Sequence, residues 1–220
     1  MLAVLSVVLM VQQAAAQTAQ QWRDSLAVLN RQIDTQPSST DLRLKKAAVN
    51  IQLNQWEYAI EEYGNVLRID PQNLAALYYR AYARTTLRQY GLARADYEAF
   101  LTIAPINMEA RLGLATVLER MGRITDAMDE LNRTVQMFPD SATAYAARAL
   151  FETGQKQLEP ALYDWTEAIR REPGNTGYVV SKVELLLQLG RKGEARRELE
   201  DAISRGEQRN ALKDWLDRCR

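Results

Sequence analysis

The sequence predicts an all-α protein built as a solenoid of stacked antiparallel helix pairs. Three observations carry this. Proline recurs at 37, 71, 105, 139 and 173, every 34 residues, and only Pro160 falls out of register. Alanine recurs on the same period at Ala59, Ala93, Ala127, Ala161 and Ala195. A second small-residue series runs Ala47, Ala81, Ala115 and Ala149 and closes on Val183. A period of this length is one helical hairpin repeated, because a single hairpin cannot bury its apolar face and needs a neighbour to cover it.

Residues 1–16, "MLAVLSVVLMVQQAAA", hold a continuous apolar run from Leu2 to Val11, too short to span a bilayer. Ala14, Ala15 and Ala16 provide small residues for a cleavage site. The expectation is a secretory signal cut near Ala16, although no basic residue precedes the run. The alternative is a buried first helix. The signal reading implies a periplasmic or secreted protein.

Residues 17–39 are expected to form an N-terminal capping helix. Trp22, Leu26, Leu29 and Ile33 recur at spacings of four, three and four, one helical face. "DTQPSST" then breaks the helix. Five repeats follow, 40–73, 74–107, 108–141, 142–175 and 176–209. With each numbered 1 to 34, position 20 is always alanine and position 8 is alanine four times. Small residues there let the paired helices approach closely. Position 24 carries Tyr63, Tyr97, Leu131, Trp165 and Leu199, and position 27 or 28 adds Val66, Phe100, Val135, Ala168 and Ile203. These larger groups are expected to fill the core between hairpins. Proline at position 32 stops the second helix. Gly122 and Gly190, at position 15, mark the end of the first helix. Residues 210–220 are expected to be a C-terminal capping helix with Leu212, Trp215 and Leu216 as its apolar stripe.

This pattern resembles the tetratricopeptide repeat family, with small residues at 8 and 20, an aromatic at 24 and proline at 32 in five of five repeats. The resemblance implies a right-handed α-solenoid whose first helices line a ligand groove. It departs from the family pattern at position 4 (Arg43, Leu77, Arg111, Tyr145, Val179) and position 11 (Asn50, Arg84, Leu118, Glu152, Leu186). Position 7 is basic in four repeats, Lys46, Arg80, Arg148 and Lys182. These side chains are expected to lay their stems on the core and put their charge in water.

On an ideal helix, positions 2, 5, 6, 9, 12 and 13 lie on the arc beside position 8. The residues expected to touch a partner on that arc are Tyr78, Tyr79, Tyr82, Leu112, Thr116, Glu119, Leu150 and Glu184. Tyrosine offers a large contact at low entropy cost and keeps a hydroxyl for orientation. The competing reading is that these tyrosines pack against neighbouring hairpins. The resemblance also raises a carboxylate clamp. It needs lysine and asparagine where Leu44, Ala48 and Tyr79 stand, so that ligand class is disfavoured.

Lysine plus arginine equals aspartate plus glutamate at 28 each, which argues against a nucleic-acid arm. There is no histidine and one cysteine, Cys219, so neither a metal site nor a catalytic constellation is expected. Glu61–Glu62 and Asp129–Glu130 are expected on solvent-facing positions of second helices. Adjacent helical residues point apart and cannot form a dyad. Asn132-Arg133-Thr134 fits a glycosylation sequon but puts Thr134 at a core position. Cys219 is expected to be a solvent-exposed terminal thiol. The reading is therefore a non-catalytic scaffold of the periplasm or cell envelope with no cofactor. Its expected partner is a protein or peptide segment, not nucleic acid or a small-molecule substrate, with no stable membrane span. A self-assembling or subunit-bridging role, with weak self-association, is the alternative, from the apolar end helices around Trp22 and Trp215.

Overall fold

The computed structural model describes the backbone of residues 2–220 and the side chains from Thr18 onward. The expected signal, 1–16, lies outside the residues whose side chains are described. Among the described residues every regular element is a helix and none is a strand. The chain falls into two compact units, Met1–Gly122 and Arg123–Arg220.

The first unit holds α1 (Leu2–Thr35), α2 (Thr40–Gln52), α3 (Trp56–Ile69), α4 (Leu74–Thr86), α5 (Tyr90–Ile103) and α6 (Met108–Arg120). Each helix packs on the next along this chain, and α4 also touches α2 and α6. The second unit holds α7 (Ile124–Met137), α8 (Ala142–Gly154), α9 (Leu158–Arg171), α10 (Thr176–Gln188), α11 (Lys192–Ser204) and α12 (Lys213–Arg218). There α8 pairs with α9 and α10 with α11, while α12 packs on both α10 and α11.

Local chemistry sets these boundaries. Ser39, Asn73, Asn107 and Ser141 each precede a first helix in extended backbone, and each side chain accepts from the amide three residues on. Such a cap satisfies one of the helix's orphan N–H groups and is worth about 1 kcal/mol. The first helices end with position 15 in the left-handed region, in Asn54, Arg88, Gly122, Lys156 and Gly190. The amide of that residue donates to the carbonyl three before it, as Asn54 does to Ile51 at 2.9 Å and Lys156 to Thr153 at 3.1 Å. This tight end turns the chain straight into the second helix. Glycine takes the conformation without cost in two repeats. In the other three a side chain is held there by the turn.

The small-residue positions are closed. All five position-20 alanines are 0% exposed, and so is Val183 at position 8. Position 24 is buried in every repeat, and at position 27 the buried residues are Val66, Phe100, Thr134, Ala168 and Ala202. Thr134 and Ala202 thus take the core slot, and Ile203, one residue on, is only half-buried. Burying a valine- or leucine-sized side chain contributes about 1.5–3 kcal/mol, so these positions are the main source of each unit's stability. Leu29 and Ile33 of α1 are buried on the side of the helix that meets α2, with Trp22 and Leu26 half-buried.

Two sequence expectations fail here. Cys219 is 7% exposed, not a solvent thiol. The reason is register: it lies 34 residues after Leu185, in the series Val49, Ala83, Val117, Phe151, Leu185, all of them buried. Leu212 likewise continues Ala76, Ala110 and Ala144 and is 0% exposed. The short α12 therefore occupies the place of a sixth first helix. Glu62 and Glu130 are also buried, not solvated.

Candidate functional site

The buried carboxylates belong to a series the sequence reading did not single out. Position 23 is acidic in every repeat: Glu62, Asp96, Glu130, Asp164 and Glu198. In four repeats it meets the basic residue of position 7 on the paired first helix. Lys46 lies 2.7 Å from Glu62, Arg80 2.6 Å from Asp96 and Arg148 2.6 Å from Asp164, and Lys182 bonds Glu198. The charges at position 7 are thus taken up by a buried carboxylate rather than by water. Arg43 adds a second cation on Glu62 at 2.9 Å. Burial works against ionising Glu62, yet hydrogen bonds from Lys46, Asn65 and Arg43 outweigh it and hold its carboxyl below the usual range. These pairs fix how the two helices of a hairpin face each other. An acid every 34 residues was the signal available in the sequence.

In the first unit the first helices α2, α4 and α6 lie side by side. A cleft of about 310 Å³ opens between α2, α3 and α4, lined by Leu44, Ala48, Ile51, Tyr63, Ala75 and Tyr79. Tyr79 stacks on the buried Tyr63 with centroids 6.1 Å apart and remains 48% exposed. Tyr82, one turn on, meets Trp56 edge to face at 6.0 Å and is 46% exposed. These rings are braced on one side and open on the other.

Tyr78 differs. Its ring meets Tyr97 at 5.9 Å and Phe100 at 6.0 Å, both buried, and Tyr79 at 5.2 Å. It is half-buried, and burial, then Glu109, raises its phenol above the ordinary range. Tyr78 braces Tyr79 more than it offers a surface. Close by, a Cβ at Gly113 would lie 2.5 Å from the Tyr97 ring, so only glycine fits α6 against that ring. Leu112 and Glu119 are half-buried on α6. Thr116 is exposed and its hydroxyl donates to the Leu112 carbonyl at 2.9 Å.

In the second unit a cleft of about 450 Å³ is lined by Leu150, Trp165, Val180, Glu184, Leu187 and Arg218. Leu150 is 61% exposed at its edge. Trp165 is 3% exposed and meets Tyr178 at 6.0 Å. Glu184 is already engaged. It accepts from the Trp215 indole at 2.7 Å and from both terminal nitrogens of Arg218 at 2.6 and 2.8 Å. The Arg218 hydrogen bond, with that of Trp215, keeps its carboxyl below the usual range. Trp215 at this end is thereby tied down within the unit.

Among the described residues no cluster of histidine, cysteine, aspartate and glutamate could hold a metal, and no helix is long and apolar enough to cross a membrane. Thr134 of the sequon is 0% exposed, and its hydroxyl donates to the Glu130 carbonyl at 2.7 Å.

Two profiles described as tetratricopeptide repeat match the chain, over residues 44–107 and 84–151. Small glutamine-rich tetratricopeptide repeat-containing protein 2 of Saccharomyces cerevisiae is 29% identical over 135 residues, 59% of this chain. The chain spans 37% of that relative's length. A tetratricopeptide repeat protein from Parabacteroides merdae superposes with a TM-score of 0.66 at 19% identity, over 92% of this chain and 79% of its own. YrrB, described as a TPR protein with an unusual peptide-binding site, gives 0.58 at 19% identity, over 80% of this chain and 91% of its own. With its periodic small residues, the closed hairpins they build and these matches taken together, the chain belongs to the tetratricopeptide repeat family.

Proposed function

We propose that this protein is a non-catalytic scaffold of the periplasm or cell envelope that holds a segment of a partner protein against its first helices. The observation that carries the reading is the pair Tyr79 and Tyr82. Both are nearly half exposed, both are braced by an aromatic neighbour, and Tyr79 flanks an apolar cleft. A rigid tyrosine loses little entropy on binding and presents both an apolar face and a hydroxyl. Tyr78 supports them from beneath, and Leu112, Thr116 and Glu119 extend the surface along α6. In the second unit Leu150 and Glu184 border a separate cleft of similar character. An apolar, aromatic surface with its charges paired suits an extended or helical segment read by its apolar side chains. YrrB, with its peptide-binding site, is a fold relative in which a ligand of this class is known. The envelope assignment rests on the Leu2–Val11 apolar run and the alanines after it.

The test is affinity capture from the native envelope fraction with wild type and with Tyr79→Ala plus Tyr82→Ala. The double variant is expected to lose the specific partner while keeping its helical circular dichroism. Equal recovery would move the site elsewhere. Sequencing the N-terminus of the mature protein checks the compartment, and an intact Met1 would count against it.

A further inference from the structure

The fourth repeat carries a buried charge cluster that partner binding does not use. On α9, Asp164 is 1% exposed and both its oxygens take the fork of Arg148, at 2.6 and 2.8 Å. Arg148 also donates to the Asn132 side chain of α7 at 2.9 Å. One turn along α8 from Arg148 stands Glu152, 6% exposed, with its Oε2 meeting no hydrogen-bond partner among the described atoms. Asp164 faces it directly. Two carboxylates therefore share one guanidinium in a closed place. A second negative charge there has no partner of its own, whereas a proton on Glu152 supplies a donor that Asp164 can accept.

We propose that the α8–α9 hairpin is a proton-operated element: a proton held on Glu152 keeps the two helices closed, and its release to solvent loosens them and reshapes the cleft they line. The charges that bear on Glu152 are Asp164 from α9 and Arg148 on its own helix, while α7 contributes the uncharged Asn132 through Arg148. Burial and then the Asp164 charge push the Glu152 carboxyl up to about 7, against the weaker pull of Arg148. The carboxyl thus changes charge across the neutral range. The link to the cleft is positional. Leu150 and Thr153 flank Glu152 on α8, Trp165 follows Asp164 on α9, and all three line the cleft. The backbone carbonyl of Glu152 also accepts from Gln157 at 2.8 Å, so it anchors the turn between the helices. The use of that cleft by a partner rests on the function proposed above, whereas the proton step does not, and its test needs no partner.

The experiment is amide hydrogen exchange on the whole protein, wild type against Glu152→Gln, each pair compared at the same pH. The glutamine keeps the shape and a donor but cannot ionise. At about pH 5.5 the amides of α8 and α9 are expected to exchange alike in the two proteins. At about pH 8.5 they should exchange on the order of tenfold faster in wild type, one pK unit being a factor of ten, with α4 and α5 unchanged. A rate ratio that stays the same at both pH values overturns the proposal. Should the variant fail to fold, carbon-13 titration of the wild-type glutamate carboxyls decides. A Glu152 midpoint near 7 supports the proposal, and one in the ordinary carboxylate range defeats it.

Discussion

The α4–α5 and α8–α9 hairpins share a register and differ in what faces the buried aspartate. In α4–α5, Asp96 receives Arg80 at 2.6 and 2.9 Å and Arg84 at 2.6 Å. In α8–α9, Asp164 receives Arg148 alone, and position 11, where Arg84 stands in the other hairpin, holds Glu152. One cluster is two cations on one anion, the other one cation between two anions. The excess is handled differently. Burial lowers the Arg84 pKa, with Asp96 pulling it back up, but a guanidinium stays charged at any ordinary pH. Glu152 has a cheaper route, because a carboxyl can take up a proton. The same backbone slot thus yields a fixed ion cluster in one repeat and a titratable one in another.

The contrast breaks hardest at the aspartates. Asp96→Ala leaves Arg80 and Arg84 buried side by side without an anion and is expected to cost about 3–5 kcal/mol in urea unfolding. Asp164→Ala should cost no more than about half of that, because Glu152, one turn from Arg148, remains as a counter-charge. Equal losses would show that Glu152 does not act on this cluster.

Next come the alanines that seat both hairpins. Ala93→Leu and Ala161→Leu each overpack a contact that is 0% exposed and should cost about 1–3 kcal/mol, alike in the two hairpins. A large difference would mean that packing, not charge, separates the two regions.

Glu152→Gln sharpens the comparison by pH. The folded carboxyl lies at about 7, above its unfolded value of roughly 4.3. Its contribution is therefore complete below the unfolded value and is lost as the pH rises through about 7. The variant should exceed wild type by on the order of 2 kcal/mol near pH 8 and match it near pH 4.5. The difference between the two proteins isolates this group, because Glu62 and the other paired carboxylates act the opposite way in acid. The smallest effect is at the caps. Asn73→Ala and Ser141→Ala remove the acceptors for Ala76 and Ala144 and should each cost about 1 kcal/mol, measured by the same unfolding.

Much of this molecule is written in its 34-residue period. Alanine at positions 8 and 20 is there because the paired helices leave no room for more, and each such residue closes to solvent. The period also held signals that were passed over. An acid at 62, 96, 130, 164 and 198 is as regular as the prolines, yet acidic residues on a second helix read as a solvated face. Only their distances to position 7 show them as buried partners. Cys219 read as a loose terminus because residues 210–220 were not numbered as a sixth first helix.

What the residues determine alone is therefore local and periodic: where a helix starts, where it turns, and which positions must be small. Those follow from backbone geometry and repeat along the chain whatever surrounds them. The exposure of Tyr79 and Tyr82 beside a half-buried Tyr78, the engagement of Glu184 by Arg218, and the meeting of Glu152 with Asp164 were decided by folding. Each depends on side chains from different helices arriving at one place, where distance and solvent exclusion set the energy.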